Sequence, residues 1–243
     1  MKTIFYLAFP RSLSSFVAEQ TVKSVQLRSP KETSCEVLIQ RYGAPKDVNH
    51  RKDMNDAHIY KNILNKFKYN YVIKDVNQPY VATQLLEDYN FNTVFIERPL
   101  ADNIYCMFKN GWFWAINYLL DQEETKKIKE GLKTHWNGIG NKFKPTNYHR
   151  EIVLPKLIEA VVAIDKECYS NITTRLKYNQ LITDPAHLYS TLKSLGYNPK
   201  RTNYIDQDFK NKRAEVEEYR SKDLWKRIDS ELRNILNDAD NPR

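Results

Sequence analysis

The chain has 243 residues, of which 41% are hydrophobic and 28% charged, with a formal net charge of +8. That apolar content suits one large α/β domain, read here as a single domain over 1–243, and the basic balance suits an anionic ligand. Positive charge spread along a chain reads as solubility and not as a nucleic-acid face. Cys35, Cys106 and Cys168 are widely spaced and form no C-x-x-C pair. Such spacing argues against a disulfide framework or a zinc site and for a reducing compartment. No run approaches the ~20 apolar residues of a membrane span. The opening Met1–Phe9 is too short for a signal peptide or anchor. The expectation is therefore a soluble, cytoplasmic protein with neither a metal nor a membrane partner.

Ile4–Phe9 is an apolar run that predicts a buried strand. It breaks at Pro10, passes through Arg11-Ser12-Leu13-Ser14-Ser15, and enters a helix over Ser14–Leu27 that Pro30 closes. In a strand, tight loop and helix, the helix N-terminus offers backbone N–H groups to an anion. The loop adds one guanidinium and three hydroxyls, all donors suited to phosphate oxygens. The plainer alternative is an ordinary turn with Ser14 as N-cap. Ser34–Gln40 has strand-like residues, Arg41–Asn55 reads as an exposed loop, and Ala57–Phe67 as an amphipathic helix. Tyr69–Ile73 predicts the second confident strand, with Lys74-Asp75-Val76 at its end, then Pro79 and a helix through Leu86. Asn92–Glu97 predicts the third, ended by Arg98-Pro99. Strand, helix and strand at this spacing make a βαβ unit, which implies a parallel sheet with right-handed crossovers. Ligands in such sheets sit at the C-terminal strand ends. Arg11, Lys74 and Arg98 each fall at such an end, which points to an anionic ligand.

Asp102–Leu120 predicts a helix carrying Trp112, Phe113, Trp114 and Tyr118. Glu123–Lys133 predicts a charged helix, His135–His149 a loop, and Glu151–Cys168 a long helix in which Pro155 falls within the first turns. Asn171–Lys177 predicts a fourth strand. Asp184-Pro185 opens a helix through Leu195, with Gly196 as its cap. Tyr197–Lys212 reads as irregular, and Ala214–Leu236 as a charged amphipathic helix or helix pair packed on the sheet.

The first loop lacks G-x-x-x-x-G-K-[ST] and is not a Walker A sequence. It resembles the phosphosulfate loop of the PAPS-dependent sulfotransferases: Phe9, Pro10, Arg11, Ser12, Ser14 and Ser15 match, and Leu13 replaces the usual glycine. A second stretch, VIKDVNQPYVATQLLEDYNFNTVFIERPLADNIYCMF, is similar to the family's strand-Lys-helix-strand segment ending in Arg-x-Pro-x-Asp. Arg98 and Asp102 fall on that pattern, Pro99 comes one position early, and Cys106 stands at the serine position. A third stretch, TTRLKYNQLITDPAHLYSTLKSLGY, matches at Tyr178, Leu181, Asp184, Pro185, Leu195 and Gly196.

The resemblance implies an α/β fold of the P-loop NTPase type, with a central parallel β-sheet flanked by helices. It implies transfer of a sulfuryl group from PAPS to a hydroxyl or amine, leaving PAP. Arg11 would contact the 5′-phosphosulfate, with Ser12, Leu13, Ser14, Ser15 and Phe16 as its cradle. Lys74 would stabilise the transferring group; its alternative is a solvated lysine ending a strand. Arg98 would hold the 3′-phosphate with Cys106 beside it, where the alternatives are a salt bridge from Arg98 to Asp102 and a small buried thiol. Tyr178 would lie by the adenine or be a plain core tyrosine. The family's late Arg-Lys-Gly element has no match, and Lys210, Lys212 and Arg213 lie where it would be replaced. Glu36 stands where some members have the base, with Asp75, His58 and His50 as alternatives. Positioned cations and N–H groups stabilise the charge on the leaving phosphate, so the chemistry requires no metal in principle. Trp112, Phe113 and Trp114 either line the acceptor pocket or belong to a core.

A leucine at the glycine position either adopts a right-handed backbone or weakens donor binding, which would leave an inactive relative. The competing readings are a P-loop nucleotide-dependent phosphotransferase, or an inactive basic module that binds nucleic acid or protein. A small molecule, a carbohydrate and a lipid all remain open as acceptor, because Ser29–Asn55 and Asp121–Arg150 carry no interpretable motif.

Overall fold

The computed structural model describes residues 1–10, 12–28, 57–76, 83–84, 86–132, 143–184, 186–200 and 205–240. Arg11, Glu36, His50 and the expected strand Ser34–Gln40 lie outside them, as do the side chains of His58 and Lys210. In chain order the elements are β1 (Ile4–Ala8), α1 (Ser14–Val25), α2 (Ala57–Lys66), β2 (Val72–Asp75), β3 (Asn92–Glu97), α3 (Leu100–Lys109), a 3-10 turn (Trp114–Tyr118) and α4 (Gln122–Leu132). There follow a π turn (His149–Val153), α5 (Leu154–Ile164), a second π turn (Asp165–Tyr169), β4 (Arg175–Lys177), α6 (Tyr178–Thr183), α7 (Ala186–Ser194), α8 (Ile205–Arg220) and α9 (Asp223–Asp240). They form two compact units, Met1–Arg98 with Cys168–Ala214, and Pro99–Glu167 with Glu215–Arg243.

The first unit is an α/β structure around a four-stranded parallel sheet of order β2-β1-β3-β4, flanked by helices. Every side chain of β1 is buried, which a strand with an unbroken apolar run achieves only when both sheet faces are covered. Helix α1 packs against β1 and β2, and α6 and α7 against β4. The Tyr6 hydroxyl lies 2.7 Å from Thr21 Oγ1, whose own proton goes to Val17 O at 2.8 Å, so Tyr6 is the donor. Burial raises the Tyr6 pKa well above the ordinary tyrosine value.

Sheet boundaries shift where local backbone geometry overrides composition. The second strand starts at Val72, because Asn70 has φ 64 and its left-handed backbone cannot extend a strand. Lys74 and Asp75 are consequently inside β2 and not in the loop beyond it. The fourth strand shortens to Arg175–Lys177, since the chain still turns at Ile172, whose N–H bonds Tyr169 O at 3.2 Å. The stretch expected to be irregular before Lys212 becomes helical from Ile205, where Glu, Lys, Arg and Ala give helix propensity without a clear apolar stripe.

In the second unit the helix expected over Asp102–Leu120 ends at Lys109. Gly111 takes φ 68, its N–H bonds Phe108 O at 3.1 Å, and the Trp112 N–H bonds Met107 O at 2.9 Å. That pair of bonds is a Schellman cap, which a glycine with positive φ permits at low cost. The same cap closes α7, where Gly196 and Tyr197 bond Lys193 O and Leu192 O. Beyond Gly111, Phe113 and Trp114 are buried, with Phe113 edge-on to Phe108 and Phe143. The helix expected over Glu151–Cys168 is one helical run, His149–Tyr169, with a π turn at each end. No described helix is long and apolar enough to cross a membrane.

Asp102, fully buried in the first turn of α3, accepts from Arg220 Nε at 3.0 Å, Arg220 Nη2 at 2.5 Å and Trp225 Nε1 at 2.9 Å. A two-point guanidinium fork on a buried carboxylate is strong and directional, and here it ties α3 to the end of α8 and the start of α9. Asp102→Ala is expected to lower stability by about 3 kcal/mol, the scale for stranding one partner of a buried ion pair. Arg220→Lys, which keeps the charge but loses the fork, is expected to cost less. Urea denaturation of the variants reads both.

Candidate functional site

Because all four described strands run parallel, their C-terminal ends lie along one edge of the sheet. The residues that follow or end them come together there. Lys74 and Asp75 close β2, Ser12–Ser14 follow β1, Arg98 follows β3 and Tyr178 follows β4. Three of the separated stretches singled out in the sequence thus meet at one place in the first unit, through strand order alone.

The β1–α1 turn excludes the right-handed backbone offered for Leu13 and leaves the alternative of weakened donor binding. Leu13 has φ 61 and ψ 16, a left-handed conformation, and it occupies the N-cap position of α1 with no side-chain cap. Ser14 is therefore the first helical residue and not the N-cap expected of it. The chain makes the turn a glycine would make easily, at a cost of ~1–2 kcal/mol for a leucine. An N-cap without a side-chain oxygen leaves the first-turn N–H groups of α1 with no acceptor from that position. Ser12 and Ser14 are buried, Ser15 is exposed and Phe16 is half-buried. Beneath the turn, Phe9 meets Tyr169 edge-on at 5.1 Å, and Tyr169 stacks on Phe95 at 4.3 Å. The aromatic residue before Pro10 is thereby anchored to the sheet.

On the neighbouring strand ends, the Arg98 guanidinium carbon lies 4.5 Å from the centroid of the Tyr178 ring. Both residues are almost fully buried, at 4% and 2% exposure, so the contact is desolvated and of the order of 2 kcal/mol. Lys74 is 8% exposed and Asp75 3%, so Lys74 is not the solvated lysine of the alternative reading. Arg175 of β4 spans Tyr169 O at 2.8 Å and Glu97 Oε1 at 3.7 Å, bracing the strand that carries Tyr178.

The remaining expected site residues lie beyond the strand ends in sequence. Cys106 is a half-buried cysteine on α3 of the second unit. Lys212, half-buried, and Arg213, exposed, sit on α8 and not in an irregular segment. Phe113 and Trp114 belong to the aromatic core of the second unit. Sequence reading missed the partners of Asp102, because Arg220 and Trp225 lie 118 and 123 residues away and carry no motif. It also missed His187, which accepts the Lys177 N–H at Nε2 over 3.2 Å. Among the described residues no cluster of three or more His, Cys, Asp or Glu could hold a metal ion.

No family model matches the chain, and no curated protein matches it. Among solved structures it is similar to the sulfotransferase domain from the curacin biosynthetic pathway. That likeness has 13% identity and a TM-score of 0.42, over 80% of this chain and 74% of that one.

The backbone of Leu13 yields a direct test. Leu13→Val puts a β-branched side chain at positive φ and is expected to destabilise by about 1 kcal/mol. Leu13→Gly relieves that strain but gives the unfolded chain more freedom, so its stability is expected within about 1 kcal/mol of wild type. Chemical denaturation midpoints of the two variants would reverse this order if the turn were right-handed.

Proposed function

We propose that the chain is a sulfotransferase of the PAPS-dependent kind, moving a sulfuryl group to a hydroxyl or amine. The observation that carries this reading is the contact between Arg98 and Tyr178. The family resemblance gives these two residues, 80 positions apart in sequence, the 3′-phosphate and the adenine of one donor molecule. Base and 3′-phosphate are joined through a single ribose, so their partners must be neighbours. The left-handed turn at Leu13 is the backbone a glycine would take there, but on a leucine it falls on the alternative that weakens donor binding, so PAP binding decides between an active enzyme and an inactive relative.

In this reading the N–H groups opening α1, with Ser12, Ser14, Ser15 and Phe16 around them, receive the 5′-phosphosulfate together with Arg11. Arg98 receives the 3′-phosphate as a charge-assisted partner, and Tyr178 the adenine. Cys106, Lys212 and Arg213 are further proposed contacts to the donor. The acceptor oxygen or nitrogen forms a bond to sulfur while the bond from sulfur to the bridging oxygen breaks. The electron pair stays on the phosphate of PAP, and the acceptor's proton goes to a base, proposed as Glu36. Lys74 stabilises the negative charge during that exchange, an electrostatic role that needs fixed geometry and exclusion of water. The acceptor is a small molecule, a carbohydrate or a lipid.

A thermal shift with PAP, PAPS and magnesium-ATP tests the reading. At a hundredfold excess over Kd, a ligand that binds only the native state adds about 2.7 kcal/mol. For a chain of this size that is a rise of roughly 5–10 °C. PAP and PAPS are expected to give it and magnesium-ATP is not. Arg98→Ala is expected to abolish the ligand-induced rise while still melting cooperatively. A folded wild type that ignores PAP overturns the proposal. A shift with magnesium-ATP alone would favour a phosphotransferase.

A further inference from the structure

The joint between β4 and α6 is unusual in how its last strand N–H is satisfied. β4 is outermost among the described strands, and its final residue, Lys177, leads directly into α6 with no side-chain cap. The Lys177 N–H is taken by Nε2 of His187, in the first turn of α7, at 3.2 Å. The imidazole fills the place where a further strand would supply a carbonyl. Its own position is fixed from behind. Asp184 Oδ1 accepts the Ala186 N–H at 2.9 Å, the His187 N–H bonds Asp184 O at 3.0 Å, and Thr191 Oγ1 bonds His187 O at 2.9 Å. The residue after Lys177 is Tyr178, whose ring lies against the Arg98 guanidinium.

We infer that His187 is a positioning residue: by holding the Lys177 N–H it fixes the start of α6 and so sets the Tyr178 ring against Arg98, and its protonation releases that hold. This rests on the proposed function only for what Tyr178 and Arg98 bind.

The chemistry is that of a single lone pair. Nε2 accepts, so the neutral ring carries its proton on Nδ1. An imidazolium has no acceptor, and the Lys177 N–H would then lose its partner. The charged groups around the ring are Asp184 in the preceding turn and Lys177 at the end of β4. Helix α6, packed against α7, brings only Tyr178 as a titratable side chain. Arg175 of β4 is engaged by Tyr169 O and Glu97. Burial lowers the His187 pKa below its ordinary value, Asp184 opposes this, and Lys177 adds to it. A base held low in the fold binds fewer protons folded than unfolded. Its contribution is therefore present above the unfolded value of about 6.5 and is lost as pH falls through the lower folded value.

The test follows nitrogen and ring signals by NMR from pH 8 to pH 5 in wild type, His187→Gln and His187→Phe. Glutamine offers an amide oxygen that accepts without titrating, and phenylalanine removes the acceptor. In wild type the Lys177 amide, the Tyr178 ring and the Arg98 side chain are expected to shift together with one midpoint below 6.5. In His187→Gln the transition is expected to vanish, with signals staying at their high-pH positions. PAP titrations at both pH values then give the functional reading. Wild type is expected to weaken by about fivefold more than His187→Gln on acidification, so that the phosphate's own titration cancels between them. A Lys177 shift that leaves Tyr178 and Arg98 unmoved overturns the inference, as does a transition that persists in His187→Gln. If wild type fails to bind PAP while the coupled shift is present, the donor assignment fails and the positioning role stands. His187→Gln keeps the test informative if His187→Phe does not fold.

Discussion

A strand buried on both faces is the constraint from which the rest of the first unit follows. β1 pairs with β2 on one side and β3 on the other, and its five residues have no exposed side chain. A chain leaving such a strand has little room, because the next segment must turn at once and return as a helix over the same sheet. At the turn the backbone is left-handed on a leucine, a residue that pays in strain for what glycine does freely. Strain of this size persists only where the surrounding packing over-determines the geometry. Phe9 locked on Tyr169 below, and the Tyr6–Thr21 hydroxyl link alongside, supply that packing.

Parallel pairing then converts sequence distance into proximity. Each strand delivers its next residue to the same edge, so Ser12 and Ser14, Lys74, Arg98 and Tyr178 share one rim although they span most of the chain. The rim is unusually well buried for so polar a set. Arg98, Lys74 and Asp75 all have under a tenth of their surface exposed. Buried charges on a strand-end rim are costly unless compensated, and proteins retain them chiefly where they act on something. The cation over the tyrosine ring lowers that cost for Arg98.

The second unit shows the same economy by different means. Its central tie is a carboxylate with no exposure, held by an arginine fork and an indole N–H from a helix pair far along the chain. Of the aromatic residues that on sequence could line a pocket, Phe113 packs on Phe108 and Phe143, with His149 beside it. The His149 Nδ1 accepts from the Thr146 N–H at 3.1 Å, which puts its proton on Nε2 in the neutral ring.

The sequence by itself determined the elements whose signals are local. Ile4–Ala8 and Asn92–Glu97 are apolar runs long enough to be strands wherever they are placed. Gly196 ends a helix because only a residue tolerant of positive φ closes a Schellman cap cheaply. The polar loop between a strand and a helix announced its place at the rim, and Lys74 and Arg98 announced theirs. What only the tertiary structure decided is everything that depends on a partner distant in sequence. No local pattern told that Leu13 would accept a glycine's backbone, that Asp102 would take Arg220 and Trp225 as partners, or that Gly111 would divide a predicted helix. Nor did any pattern show that His187 would complete the edge of β4. These outcomes rest on which groups burial forces together, and burial is a property of the packed chain and not of any window within it.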